Sequence, residues 1–260
     1  MSPFEISYAI VGGFIAGCVN TLAGNGSVIT LGFLTEILGI PVNLANGTNR
    51  VGIVIQGLSS LPSFYKAKRL PLESSWRFLI WGVAGAIIGT FFAIYLSAQS
   101  FYSVYKFLML ALFVFMILRG HKPWNNAIET NPLAPWIYSL VFFCFGFYGG
   151  FIQMGMGIFL LAFMMLYMKY NILEANALKI IMVSGYTLIA LIIFHFYGMV
   201  NWTIGLTIAI GQGLGGWMTA HYANKIPNAE SWAYRFLYFI MAVTLLKLFG
   251  LLNFNTLFMH

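Results

Sequence analysis

The chain has 260 residues, of which 60% are hydrophobic and only 7% charged, with no Asp and a net charge of +7. A water-soluble domain carries about 25% charged residues, and disorder requires low hydrophobicity with high charge, so a soluble enzyme and a disordered chain are both excluded. The solvent for most of this surface is lipid.

The N-terminus, Met1-Ser2-Pro3-Phe4-Glu5, lacks the basic region of a cleavable signal peptide, so the first apolar segment is expected to stay as a membrane helix. A spanning helix needs about 20 mostly apolar residues. In chain order the pattern predicts long spans at 5–22, 45–65, 75–96, 101–119, 134–152, 174–197, 201–221 and 231–251. Two shorter apolar pieces, 27–39 and 157–169, each follow a glycine break directly. The breaks are Ala23-Gly24-Asn25-Gly26-Ser27 and Gln153-Met154-Gly155-Met156-Gly157. These pieces read as short or re-entrant helices. The polar connection 121–133 separates a first membrane repeat, 1–120, from a second, 134–260.

The halves match in order. Gly13-Phe14-Ile15-Ala16-Gly17 pairs with Gly146-Phe147-Tyr148-Gly149-Gly150, Gly24-Asn25-Gly26 with Gly155-Met156-Gly157, and Ala45-Asn46 with Ala175-Asn176. Val104-Tyr105-Lys106-Phe107-Leu108 pairs with Ala233-Tyr234-Arg235-Phe236-Leu237. If each half crosses five times, Lys66, Lys68, Arg69, Lys122, Lys169 and Lys225 fall on one side, with Arg119 at a helix end. The opposite connections near 40–44, 97–100 and 198–200 hold no Lys or Arg. The positive-inside rule then holds in every loop. The expected fold is all-α and integral to the cytoplasmic membrane, with both termini outside. It consists of two inverted repeats, each with four long transmembrane helices and one short or re-entrant helix after a glycine break.

Lipid cannot satisfy a broken backbone, so such breaks line protein or water. Inverted repeats with discontinuous helices recur in transporters, which bind substrate between the repeats. A helix start after Gly26 favours an anion, and Asn25 and Ser27 add donors beside it. Arg50 and Lys179 occupy nearly the same place in the two halves, inside long apolar spans, and no Asp exists to pair them. A charge at that depth costs about 2.5–3.5 kcal/mol on insertion scales, which makes it a functional candidate. Two readings stand: the cations neutralise a translocated anion, or their stems snorkel to the headgroups. Asn20, Thr48, Asn49 and Gln153 lie at matching depth and complete the candidate substrate-binding set with Arg50, Asn25, Ser27 and Lys179. Glu36 and Glu174 are expected near the interfaces, with proton coupling through either left open.

His195 and His221 have no ligand spacing, Cys18 and Cys144 form no C-x-x-C, and no Walker motif is present. No catalytic residue, metal or cofactor is therefore expected. The dispersed basic residues argue against nucleic acid. The expected partners are a small anion and membrane lipid, with a homo-oligomer left open. An intramembrane redox enzyme or a non-transporting scaffold are the rival classes.

Gly17 and the stretch Ala23-Gly24-Asn25-Gly26, then Ala45, Thr48, Gly149-Gly150, Gly155-Met156-Gly157 and Gly198-Met199-Val200-Asn201-Trp202 resemble the TauE/SafE sulfite-exporter family. The resemblance covers roughly 8–250. It departs at Asn25 and Ser27, where the family usually has a glycine run, and at Gly32, where proline is common. It implies transport of a small sulfur oxyanion or organosulfonate such as sulfite or sulfoacetate, with export as the expected direction.

Overall fold

The computed structural model describes residues 3–66, 72–119, 133–170, 172–222 and 229–251, and among these it contains helices and no strand. The first half holds α1 (Pro3–Ala23), α2 (Gly26–Gly32), α3 (Val42–Lys66), α4 (Leu72–Tyr95) and α5 (Ala98–Arg119). α2 runs on through a π-helical turn, Phe33–Ile37. The second half holds α6 (Pro135–Phe151), α7 (Met156–Leu166), α8 (Ile172–Phe196), α9 (Trp202–Tyr222) and α10 (Ala229–Leu248). Both short helices follow the glycine breaks as expected. The loops carrying Lys68, Arg69, Lys122 and Lys225, and all of the 121–133 connection except its last residue, lie outside the described residues.

Among the described residues four helices are long and apolar enough to cross a membrane: Pro3–Leu22, Trp76–Tyr95, Ala98–Leu118 and Glu174–Phe196. α3 has the length but a lower mean apolarity, because Asn46, Thr48, Asn49, Arg50, Gln56 and Ser60 lie along it. All six are buried. Its polar residues therefore face protein, which is the condition under which a spanning segment tolerates them. The exterior is apolar, with Leu58, Ile88, Phe107, Leu118, Phe196 and Phe239 exposed. Apolar surface this extensive marks contact with membrane or protein.

Local signals account for the joints. Gly198 takes φ +68°, the left-handed conformation that ends a helix, and Met199 N–H returns to the Phe194 carbonyl at 2.9 Å. Three residues on, Asn201 Oδ1 accepts the Ile204 N–H at 3.1 Å and caps the start of α9. Pro135 stands at the first turn of α6, where its missing N–H costs nothing.

Two glycine seams tie the halves together. On α1, a Cβ at Gly13 or Gly17 would strike the Ile208 or Gln212 carbonyl of α9, and one at Gly211 or Gly215 would strike Ile10 or Phe14 of α1. The seam between α4 and α6 is built the same way. Gly85 and Gly89 meet the Phe143 and Phe147 carbonyls, while Gly146 and Gly150 meet those of Gly82 and Ala86. In each seam the first helix of one half packs on the fourth helix of the other, backbone against backbone. α3 and α8 cross at the centre and run antiparallel, since Gly47 faces Phe194 and Gly57 faces Ser184. α5 and α10 are antiparallel as well: Tyr238 donates to the Met116 carbonyl at 2.6 Å, and Lys106 sits 4.0 Å over the Phe249 ring.

Candidate functional site

The two breaks meet. α1 ends at Ala23, and Gly24 turns the chain with φ +74°; α6 ends at Phe151, and Gln153 and Gly155 turn it with φ +59° and +75°. The Gly24 and Gly157 backbones touch, so that a Cβ on Gly24 would come within 2.8 Å of the Gly157 carbonyl carbon. Only glycine permits both the left-handed turn and this approach. The meeting point lies beside α3 and α8, which bring the polar side chains of each half against the broken end of the other.

A broken helix leaves its last carbonyls without intrahelical donors. Arg50, fully buried on α3, meets those of α6: Nη1 donates to the Gly149 carbonyl and to Gln153 Oε1, and Nη2 donates to the Gly150 carbonyl at 3.1 Å and to Asn46 Oδ1 at 3.0 Å. Asn46 Nδ2 takes the next carbonyl, Phe151, at 2.8 Å. Lys179 on α8, 2% exposed, meets those of α1. Its Nζ donates to the Asn20 carbonyl at 3.1 Å, the Thr21 carbonyl at 3.4 Å and Asn176 Oδ1 at 2.7 Å. Each cation thus sits at a helix C-terminus, where the partial charge favours it. The snorkelling alternative does not hold, because both heads are buried. Neither is unpaired, since backbone carbonyls and amides take the place of the missing Asp.

A small cavity opens where the breaks meet. Its polar lining is Asn20, Ser27, Gln56, Gln153, Lys179 and Ser184, with Gly24, Gly57 and Gly157 forming part of the wall. Among the described residues no carboxylate lines it. An ammonium with amides and hydroxyls around it presents donors and positive charge, which suits a small oxyanion. Asn20 is held in place from two directions. Its Nδ2 donates to Gln56 Oε1 at 2.9 Å, and its Oδ1 accepts the Gly26 N–H at 3.3 Å. Gln56 in turn donates to the Gly17 carbonyl and to Thr21 Oγ1.

Of the eight predicted site residues, Asn20, Ser27, Gln153 and Lys179 come together on this cavity. Arg50 lies behind it. Asn25 is buried with its Nδ2 on Met116 Sδ at 3.5 Å, and Thr48 Oγ1 accepts the Asn201 N–H, holding the start of α9. Asn49 is buried with neither amide atom bonded, and Gln212 is in the same condition beside Gly52 and the α1 seam. Gln56 and Ser184 line the cavity outside the predicted set, and Thr187, Asn46 and Asn176 were not predicted as supporting groups. A signal for the last two existed: an Asn stands three or four residues before each buried cation. Among the described residues no group of three His, Cys or acidic side chains is placed to hold a metal ion.

Residues 9–248 match the family model described as sulfite exporter TauE/SafE. A probable membrane transporter protein ORF9 from Sinorhizobium sp is 26% identical over 220 residues, covering 84% of this chain and 83% of that protein. One from Haemophilus influenzae, also described as a probable membrane transporter protein, is 26% identical over 204 residues, 78% and 79% of the two chains. The probable membrane transporter protein YunE of Bacillus subtilis is 25% identical over 244 residues, 84% and 89% of the two chains. No solved structure matches.

Proposed function

The chain belongs to the sulfite exporter TauE/SafE family of membrane transporters, and we propose that it carries a small sulfur-containing anion, sulfite or an organosulfonate of the sulfoacetate type, out across the cytoplasmic membrane. The observation that carries this reading is the cavity at the meeting of the breaks, with the Lys179 ammonium in its wall and no carboxylate among the described residues that line it. Export needs no chemical fuel in principle. An inside-negative potential is worth about 2.3 kcal/mol per charge per 100 mV to an outgoing anion.

The proposed mechanism is alternating access between two inverted repeats, residues 1–120 and 134–260, around a site at their interface. Three features support the inversion. The central helices α3 and α8 hold equivalent places in the halves and run antiparallel, α5 and α10 do the same, and the α1–α9 seam has its counterpart in α6–α4. In this arrangement the basic loops are cytoplasmic and both termini outside. Maleimide labelling of Lys68→Cys and Lys169→Cys checks it, because opposite sidedness of the two positions rules the inversion out.

Function is tested with purified protein in liposomes, by sulfite and sulfoacetate flux with wild type and Lys179→Gln. The expected result is saturable flux of one of these anions that Lys179→Gln weakens. Absence of flux for every sulfur anion overturns the substrate reading and favours a non-transporting scaffold.

A further inference from the structure

The two buried cations are bonded in reciprocal fashion, and neither serves its own half. Arg50 of the first half closes the carbonyl end of α6, and Lys179 of the second half closes the carbonyl end of α1. Each is steadied by an Asn about one turn earlier on its own helix. Their surroundings nevertheless differ. Lys179 stands in the cavity wall, whereas Arg50 is fully buried and reaches the cavity only through Gln153. Gln153 Nε2 continues to Thr187 Oγ1 at 3.0 Å, and Thr90 Oγ1 reaches the Gly150 carbonyl at 3.4 Å, so the Arg50 side is bonded shut.

We propose that Arg50 is a positioning residue, a latch that clamps the end of α6 and Gln153 to α3 and closes one face of the site while the Lys179 face is open. This rests on the transporter reading and adds how the two faces are kept from opening together. An anion can reach either cation only by displacing helix-end carbonyls. Ammonium makes point contacts at 3.1 and 3.4 Å to its two carbonyls and can surrender one. Guanidinium holds two successive carbonyls and a side-chain amide in one planar fork, and it releases them together or not at all. Equivalent caps on both halves give two conformations of comparable energy, one with Lys179 exposed to the site and one with Arg50 exposed, which is the bistability that alternating access requires.

The test is thiol labelling with a water-soluble maleimide in a background carrying Cys18→Ala and Cys144→Ala. With Arg50 intact, the thiol of Ser184→Cys, in the cavity wall, reacts, and that of Thr187→Cys is protected. Arg50→Met raises labelling of Thr187→Cys by about tenfold, the population change expected when a charge-assisted hydrogen bond is removed from one side of an equilibrium. Arg50→Lys keeps part of the protection, and Lys179→Gln leaves Thr187→Cys protected. Gln153→Leu, which breaks the clamp without removing a charge, raises Thr187→Cys labelling in the same direction and serves if Arg50→Met does not fold. Unchanged protection in Arg50→Met and Gln153→Leu overturns the latch, as does an equal rise with Lys179→Gln, which would mean general loosening. Labelling needs no substrate, so a failed latch and a failed flux assay are read separately.

Discussion

Replacing Lys179 by Gln separates a cavity cation that binds substrate from one that only caps a helix. The ammonium has three hydrogens, and the Asn20 carbonyl, the Thr21 carbonyl and Asn176 Oδ1 engage them at 3.1, 3.4 and 2.7 Å. An incoming oxyanion therefore takes the place of one acceptor, and the long contact to Thr21 is the cheapest to give up. A unit charge pair at about 4 Å in an environment of effective dielectric about 20 is worth about 4 kcal/mol. The charge-assisted hydrogen bond surrendered offsets about 1.5 kcal/mol of that. What remains, about 2–3 kcal/mol, corresponds to a loss of roughly 30- to 150-fold in affinity when the charge is removed. Gln keeps a donor for the α1 carbonyls, so the helix end stays capped and the fold is retained. The assay is titration of detergent-purified protein with sulfite and with sulfoacetate, paired with thermal unfolding. Unchanged affinity in a variant that unfolds like the wild type refutes the role of Lys179 in binding.

Three further outcomes are expected. Arg50→Met removes every side-chain donor from the Gly149 and Gly150 carbonyls except the 3.4 Å Thr90 contact, and each buried acceptor left unsatisfied costs about 1–3 kcal/mol; thermal unfolding reads this directly, and a shift smaller than that of Lys179→Gln contradicts the capping assignment. Gly13→Ala and Gly12→Ala, neighbours on α1, diverge. The first drives a methyl into the α9 backbone and abolishes stable protein, while the second finds Phe33 at an ordinary 3.5 Å and gains up to about 1 kcal/mol of helix propensity, as expression and melting temperature of the two variants will tell. Gln212→Met leaves stability unchanged or improves it, because neither amide atom of this fully buried side chain has a partner among the described residues and an orphaned buried group costs about 1–3 kcal/mol. A marked loss of melting temperature would mean that the amide is satisfied by bound water.

Most of the scaffold was legible because it depends on quantities a linear chain carries: runs of apolar residues long enough for a bilayer, and glycines where the backbone must turn left-handed. The positions of both breaks follow from Gly24 and Gly155 alone, and the two short helices after them from their length. Helix α3 was legible as a span from the length of the run 45–65; by apolarity it falls behind α1, α4, α5 and α8, because the side chains that lower it face protein. The bonding of Arg50 and Lys179 was not legible. Their acceptors are the backbone carbonyls of Gly149, Gly150, Asn20 and Thr21, about a hundred and more residues away, and a carbonyl has no sequence signature. Hydropathy marks an intramembrane cation as costly and prompts a search for an acid, which this chain lacks. The offsetting negative charge comes instead from two interrupted helices, so the glycine breaks and the buried cations, read from the sequence as separate features, are halves of one device. Cutting a helix at membrane depth exposes carbonyls that need a cation, and burying a cation needs such carbonyls. Each half supplies the cation for the other half's cut, and under the proposed function that exchange makes the interface between the halves the place where charge is available to a substrate.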